Sequence, residues 1–517
     1  MKTLRILWVD DEIDHLKPFV LFLQNKGYEV ITTTNGTDAI AIVEQEQVDL
    51  VLLDEMMPGL DGLSTLKEIK KIKDYLPVVM VTKSEEEGIM DNAIAGQIAD
   101  YLIKPINPNQ IILAMKKIFE ADDIRRNRIG QEYAQFSARL MNQLYQNPNW
   151  QEWARIYRDI CHWDIQLDTI EAQSLSQTHF LEKKDCNAEF ATYVTRNYRN
   201  WLNSDERPNL SFDVISEYLA PQLGKGKPVY FVVIDCMRLD QYLTLEPMIQ
   251  ELFDTDLQLY YSILPTATPY SRNSIFSGLL PVDIAKNYPE YWVESGDLDN
   301  SRNRNEHQLL DAHLADLGFD CDKTKYVKIF TIEEGNFVVR KIDSWKNEEL
   351  VILVYNFLDL LAHHRSKSQI LKETIPDEKA LRAFTKHWFQ HSTFYEALKL
   401  IARQDATIVL TTDHGSIRVN RASQLVGDKD TTSTVRYKEG RNLKISDKHS
   451  LLIKEPAEYG LPPRNIVDNY AITKEDYYFV YPNAYHQYMK QYNGTFQHGG
   501  ISMEEMILPV VVGKPKK

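Results

Sequence analysis

Short apolar runs that stop at a carboxylate recur along this chain, and they constrain its fold more than any other feature. Arg5-Ile6-Leu7-Trp8-Val9 ends at Asp10, Asp49-Leu50-Val51-Leu52-Leu53 at Asp54, and Pro228-Val229-Tyr230-Phe231-Val232-Val233-Ile234 at Asp235. Further on, residues 350–357 lead to Asp359 and residues 406–412 to Asp413-His414-Gly415. Runs of this length read as buried strands. Between those of the first 120 residues lie helical patterns near 15–25, 37–46 and 62–72, with further strands at 29–32, 78–81 and 100–103 and a short helix before the last. That βα alternation predicts a parallel doubly wound sheet, whose working residues collect at the carboxyl ends of the strands. Asp10, Asp54, Thr82 and Lys104 all fall there.

Three carboxylates at one sheet edge repel unless a divalent cation sits among them, and an all-oxygen site suits magnesium. Asp10 and Asp11 are expected to hold the ion and Asp54 to take a phosphoryl group. Thr82 would then hydrogen-bond the new phosphate, and Lys104 would pair with its charge.

From about 121 to 219 the strand pattern gives way to helical periodicity, with Tyr133, Phe136, Leu140 and Leu144 on one stripe. Breaks at Asn147-Pro148-Asn149 and Ser204-Asp205-Glu206-Arg207-Pro208 punctuate a helical bundle. Trp150, Trp153, Trp163 and Trp201 are read as core filling rather than as a partner surface. The segment's expected job is mechanical, passing a change in the first domain on to the last.

The last part of the chain returns to strands that end in ligand-type residues. Asp359 and His363 are four apart, on one face of a helix beginning there, and so can reach one ion. His498, in the Gln497-His498-Gly499-Gly500-Ile501 turn, would complete that centre. Asp235, Asp413 and His414 would hold a second ion, with Thr268 joining them as an alkoxide. Mixed carboxylate and imidazole donors suit two zinc ions, which lower the pKa of a bound hydroxyl and so make threonine a nucleophile. Arg238 is the first choice for a phosphate clamp, rivalled by a structural ion pair with Asp240; Arg272 and Asn273 stand behind it.

Composition limits the alternatives. With 517 residues and 43% hydrophobic content the chain has room for three or so folded domains. Its formal net charge of −15 opposes nonspecific binding to a nucleic-acid backbone, and no helix-turn-helix signal follows the first domain, so direct DNA binding is not expected. The amino-terminal run is too short for a signal peptide or a membrane span, and no later segment would cross a bilayer, which points to the cytoplasm. Cys161, Cys186, Cys236 and Cys321 lack CxxC pairing, as expected of reduced thiols.

The motifs add a resemblance. Val9-Asp10-Asp11-Glu12, Leu53-Asp54-Glu55-Met56-Met57-Pro58-Gly59, Val81-Thr82 and Lys104-Pro105 resemble the receiver domain of two-component response regulators. That resemblance implies phosphorylation of Asp54, a magnesium ligand from the Met56 carbonyl, a cis peptide before Pro105, Tyr101 as the switch aromatic, and a sensor histidine kinase as donor. Lys83 departs from it, since the family usually has a small residue there. Asp235-Cys236-Met237-Arg238-Leu239-Asp240, Pro265-Thr266-Ala267-Thr268, Thr412-Asp413-His414-Gly415 and the segment from His498 to Met506 resemble the PglZ branch of the alkaline phosphatase superfamily. The superfamily's nucleotide phosphodiesterases place their threonine ten residues before a glycine and thirteen before a proline; Thr268 fits, with Gly278 and Pro281, whereas Thr266 does not. The expected architecture is α/β: a CheY-like doubly wound receiver over 1–120, a helical bundle linker over 121–219 and an alkaline-phosphatase-like PglZ domain over 220–517.

That order resembles the PorX-like response regulators of type IX secretion in Bacteroidetes. It implies a phosphodiesterase acting on a nucleotide or oligonucleotide, a homodimer on phosphorylation, and contact with a sigma factor or secretion components. The alternative is a non-enzymatic signalling module in which phosphorylation and metal binding only regulate partner contacts.

Overall fold

The computed structural model describes residues 4–83, 98–170, 172–293, 303–319, 324–365, 368–427, 434–463 and 469–516, with backbone alone at 121–123. The chain forms two compact units, 1–132 and 133–517, and the division falls inside the helix Ala121–Tyr145.

In the first unit, strands β1 (Arg5–Val9), β2 (Glu29–Thr33), β3 (Leu50–Asp54), β4 (Val78–Thr82) and β5 (Asp100–Ile103) form one parallel sheet in the order β2-β1-β3-β4-β5. Alternate residues of β1 serve opposite cores: Leu7 and Val9 pack with Val51, Leu53 and Leu66, while Ile6 and Trp8 pack with Leu52, Val81 and Ile111. Burial on both faces is why the strand reads as an unbroken apolar run. Truncating one such residue, for example Leu52→Ala, removes buried contacts at a cost of about 2–5 kcal/mol. Helix starts are set locally. Asn35 caps Gly36–Gln45, Asp61 caps Gly62–Ile72 by accepting from Ser64 N at 2.7 Å, and Asn107 with Gln110 boxes Pro108–Phe119. The short helix expected between β4 and β5 lies outside the described residues.

The second unit is built on a six-stranded sheet. Its strands are β6 (Val229–Ile234), β7 (Phe253–Tyr261), β8 (Thr324–Ile329), β9 (Leu350–Tyr355), β10 (Thr407–Thr411) and the C-terminal strand Ile507–Pro515. From one edge, the order is β7, the C-terminal strand, β10, β6, β9, β8. The pairs from β10 to β8 are parallel, whereas the C-terminal strand is antiparallel to both its neighbours. The carboxyl ends of β6, β9 and β10 therefore open on one side of the sheet.

The helices Trp150–Asp168 and Gln173–Trp201 belong to this unit, and the first packs on Leu239–Gln250, the helix that follows β6. Trp153 and Trp201 are buried, meeting Phe190 and Tyr261 edge-on at 5.4 and 5.5 Å, while Trp150 and Trp163 are half-buried. Cys161, Cys186 and Cys236 are free thiols, and Cys321 lies outside the described residues. Among the described residues no helix is long and apolar enough to cross a membrane.

Candidate active site

In the first unit, β1 and β3 deliver Asp10 and Asp54 side by side. With Asp11 they place three carboxylate oxygens within 4.8 Å of one another. Asp10 and Asp54 are buried and Asp11 is exposed. Lys104, just past β5, answers the charge: its Nζ is 2.8 Å from Asp10 Oδ2 and 3.0 Å from Asp54 Oδ2. Burial raises the Asp54 pKa; the Lys104 ammonium opposes that rise and Asp10 adds to it. Burial alone would depress Lys104, but the two carboxylates hold it above its ordinary value. The donor set is all oxygen, as magnesium prefers. Gly62 is required because a Cβ there would come 2.3 Å from the Asp54 carbonyl oxygen. The Lys104-Pro105 peptide is cis.

The Thr82 hydroxyl donates a short hydrogen bond to Glu55, a buried carboxylate that figured in the sequence only as part of a motif. The Tyr101 ring is 42% exposed and the Met56 side chain 66% exposed, so neither side chain sits among the acids. Lys83 lies at the surface, 3.5 Å from Glu12.

In the second unit the residues singled out in sequence converge from five segments. Asp359 and His363 lie one turn apart on the helix Phe357–Arg365, with His363 Nε2 3.3 Å from Asp359 Oδ1. His498 Nε2 is 3.5 Å from the same oxygen and 3.3 Å from His363 Nε2. Against the upward push of burial, the imidazoles of His363 and His498 hold the Asp359 carboxyl well below the usual range.

The other group forms at the ends of β6 and β10. Asp235 is followed by Cys236 in the left-handed region, at φ 66°, a conformation that costs a non-glycine residue about 1–3 kcal/mol. That turn aims the Met237 amide at Thr412 Oγ1, 3.0 Å away, and ties the two strand ends together. Asp235, Asp413 and His414 are buried, with their ligand atoms within 4.8 Å of one another. The His414 Nδ1 lies 3.1 Å from the Gly415 carbonyl, which only accepts, so Nδ1 carries the proton and Nε2 is left as the ligand atom. Burial pushes the Asp235 carboxyl up to about 8 against the pull of Arg272, with Asp413 adding to the rise, and burial likewise raises Asp413.

Thr268 opens the helix Thr268–Ser277 beside the second group. Its Oγ1 is 2.9 Å from His414 Nε2 and 3.5 Å from Asp235 Oδ1. The rings of His414 and His498 stack with centroids 4.1 Å apart, which brings the two groups against each other. Thr266 is engaged elsewhere, donating to the Gly500 carbonyl at 2.8 Å. Each group offers one or two imidazole nitrogens and one or two carboxylates at mutual distances that suit a zinc donor set.

Two arginines have places other than those first considered. Arg238 does not clamp phosphate in this geometry: it is fully buried, with Nε and Nη2 each 2.8 Å from Asp240, and it also meets Glu378 at 3.2 Å. The structural ion pair is the arrangement present. Arg272, one helical turn after Thr268, spans the Oδ2 atoms of Asp235 and Asp413, the latter at 3.0 Å, and donates to Asn356 at 3.3 Å. Its spacing of four from Thr268 was the only sequence signal for this bracing role. Asn273 turns its amide to the Pro269 carbonyl.

A third acidic cluster, Asp164, Asp240 and Glu378, is already neutralised from within. Lys183, Arg238 and Arg382 stand among its oxygens at 2.7 to 3.2 Å.

Among known families, residues 6–116 match the response regulator receiver domain, residues 123–202 the PorX response regulator linker domain, and residues 214–512 the BREX system PglZ alkaline phosphatase-like domain. The regulatory protein VanRc of Enterococcus gallinarum is 37% identical over 112 residues, 22% of this chain and 48% of that protein. The alkaline phosphatase synthesis transcriptional regulatory protein PhoP of Bacillus subtilis (strain 168) is 34% identical over 122 residues, 23% of this chain and 50% of that protein. The chain thus spans about half the length of the curated relatives it matches. A solved two-component response regulator from Clostridium difficile is 28% identical, covering 23% of this chain and 97% of its own, with a TM-score of 0.22.

Proposed function

The chain belongs to the PglZ alkaline phosphatase-like family, with a response regulator receiver and a PorX linker domain ahead of the matched part, and from that premise we propose a receiver-controlled two-zinc phosphodiesterase. One observation carries the reading: the Thr268 hydroxyl lies 2.9 Å from His414 and 3.5 Å from Asp235, in a ligand-type cluster whose His414 ring stacks at 4.1 Å on His498 of the other. Asp359, His363 and His498 would hold one zinc; Asp235, Asp413 and His414, with Thr268, would hold the other. Bound there, the pair supplies Lewis-acid neutralisation of phosphate charge. Thr268 Oγ attacks phosphorus in line, the bond to the leaving alcohol breaks, and water then cleaves the phosphothreonine and restores the hydroxyl. Arg272 keeps the Asp235 and Asp413 carboxylates aimed while this happens. The substrate class, a nucleotide-type diester, follows from the resemblance to the superfamily's phosphodiesterases.

In the receiver, Asp54 takes its phosphoryl group from a sensor histidine kinase; Asp10, Asp11, Asp54 and the Met56 carbonyl would hold magnesium, which would neutralise the phosphoryl charge. Thr82, Lys104 and Tyr101 then respond to the new charge, and the receiver pairs into a homodimer. The setting is the cytoplasm, and the output controls type IX secretion, through a sigma factor or secretion components. The three-part division at 120/121 and 219/220 is the working domain map. Hydrolysis of a bis-aryl phosphodiester with added zinc, wild type against Thr268→Ala, tests the chemistry. Loss in the variant is expected; equal rates would remove the mechanism and leave a signalling module without catalysis.

A further inference from the structure

The helix Gln173–Trp201 sends two side chains into the catalytic side of the second unit. Asn187 Nδ2 donates to Glu504 Oε2 at 2.9 Å, and its Oδ1 accepts from Met503 N at 2.8 Å. Lys183, one turn earlier on the same face, is 3.4 Å from Glu504 Oε1, 2.7 Å from Glu378 and 2.9 Å from Asp164. Both side chains are buried, so these contacts answer polar groups that water does not reach.

What they grip is the short turn Met503–Met506, which lies between two ligand-bearing loops. On one side, a Cβ on Gly415 would fall 1.9 Å from the Glu504 carbonyl oxygen, and Gly415 N donates to the Glu505 carbonyl at 3.3 Å. The backbone after Asp413 and His414 therefore rests on the turn. On the other side, the Glu505 carboxylate accepts from Gly500 N at 2.8 Å and pairs with Arg436, fixing the segment that follows His498.

We propose that Asn187 and Lys183 are positioning residues of the hydrolase site, so that the helical segment holds the loops carrying His414 and His498 at their working separation. This rests on the phosphodiesterase reading for its consequence, not for its geometry. If the helix shifts, both ligand loops shift with it; a free linker would leave them untouched.

The test uses the full chain with Asn187→Leu and Lys183→Met, and with Asn187→Ser should the leucine variant fail to fold. Three readouts are taken: hydrogen exchange of metal-free protein, zinc affinity, and aryl-diester hydrolysis. Faster exchange is expected in peptides covering 413–416 and 498–506, with β6 and the receiver unchanged. Zinc affinity and kcat should each fall about tenfold, as for other residues that orient ligands, with KM within about twofold. Unchanged exchange and zinc affinity in folded variants would overturn the proposal. A wild type without hydrolysis would instead remove the phosphodiesterase reading, while exchange and zinc affinity would still decide the positioning role.

Discussion

The receiver cluster and the PglZ-domain cluster meet the same electrostatic problem with different counter-charges. Each gathers buried carboxylates at the carboxyl ends of parallel strands. In the receiver a single ammonium, Lys104, lies within 3.0 Å of two of them and can slide along a flexible stem. In the PglZ domain the answer is rigid: Arg272 forks across the Oδ2 atoms of Asp235 and Asp413 while the single imidazole of His414 faces Asp235 Oδ1 at 3.6 Å. On the proposed function, a site that gains and loses a phosphoryl group would benefit from a mobile partner, whereas one that holds ions at fixed spacing would benefit from a planar one.

The sharpest test of that contrast separates the two sites. Thr268→Ala should lower diester hydrolysis by at least about a thousandfold, as expected on removing a nucleophile, yet leave phosphoryl uptake by the receiver intact. Asp54→Asn should abolish uptake of label from a small phosphodonor. Crossed losses would break the division of labour.

Rigidity itself is tested at Arg272. Arg272→Lys keeps the charge and loses the fork, and should cost about 10–100-fold in zinc affinity or kcat, because orienting partners of ligands typically carry that much. An unaffected variant would make the two sites alike.

Arg238 sharpens the comparison from outside the site. Arg238→Met removes one of the two guanidiniums that meet buried Asp240 at 2.8 Å, leaving Arg382, and should destabilise the second unit by up to about 3 kcal/mol in denaturant unfolding. The rate per folded molecule should stay within about twofold. A lost rate at full stability would restore the phosphate clamp.

The smallest effect concerns pH. The folded Asp235 carboxyl titrates at about 8, above its unfolded value near 4, so its contribution to metal-free stability is present below pH 4 and is lost as pH rises through 8. The stability difference between Asp235→Asn and wild type should therefore move in the variant's favour across that window. A flat difference would show that Asp235 is ionised throughout.

Which parts were legible follows from the same physics. The strands could be read because residues such as Leu52 and Phe231 are buried between two helical layers, and the acids at their ends because a polar residue interrupts each run. Asp359 and His363 were readable as a helical i, i+4 pair. Glu55 was not, because its partner Thr82 lies on another strand and nothing local marks the contact. Arg272 lies inside the helix Thr268–Ser277 and Arg238 just ahead of Leu239–Gln250, and nothing local in the sequence marks which of them meets the site. The helical segment's periodicity gave its helices but not what they would pack on, since an apolar stripe fits any apolar surface.

The last strand, Ile507–Pro515, is threaded antiparallel between β7 and β10, with both its edges taken. Without those residues β7 has no neighbour in the six-stranded sheet and β10 keeps only β6. The sheet of the second unit thus closes only when segments nearly 290 residues apart in the chain have met, whereas the receiver sheet is assembled from residues 5–103 alone.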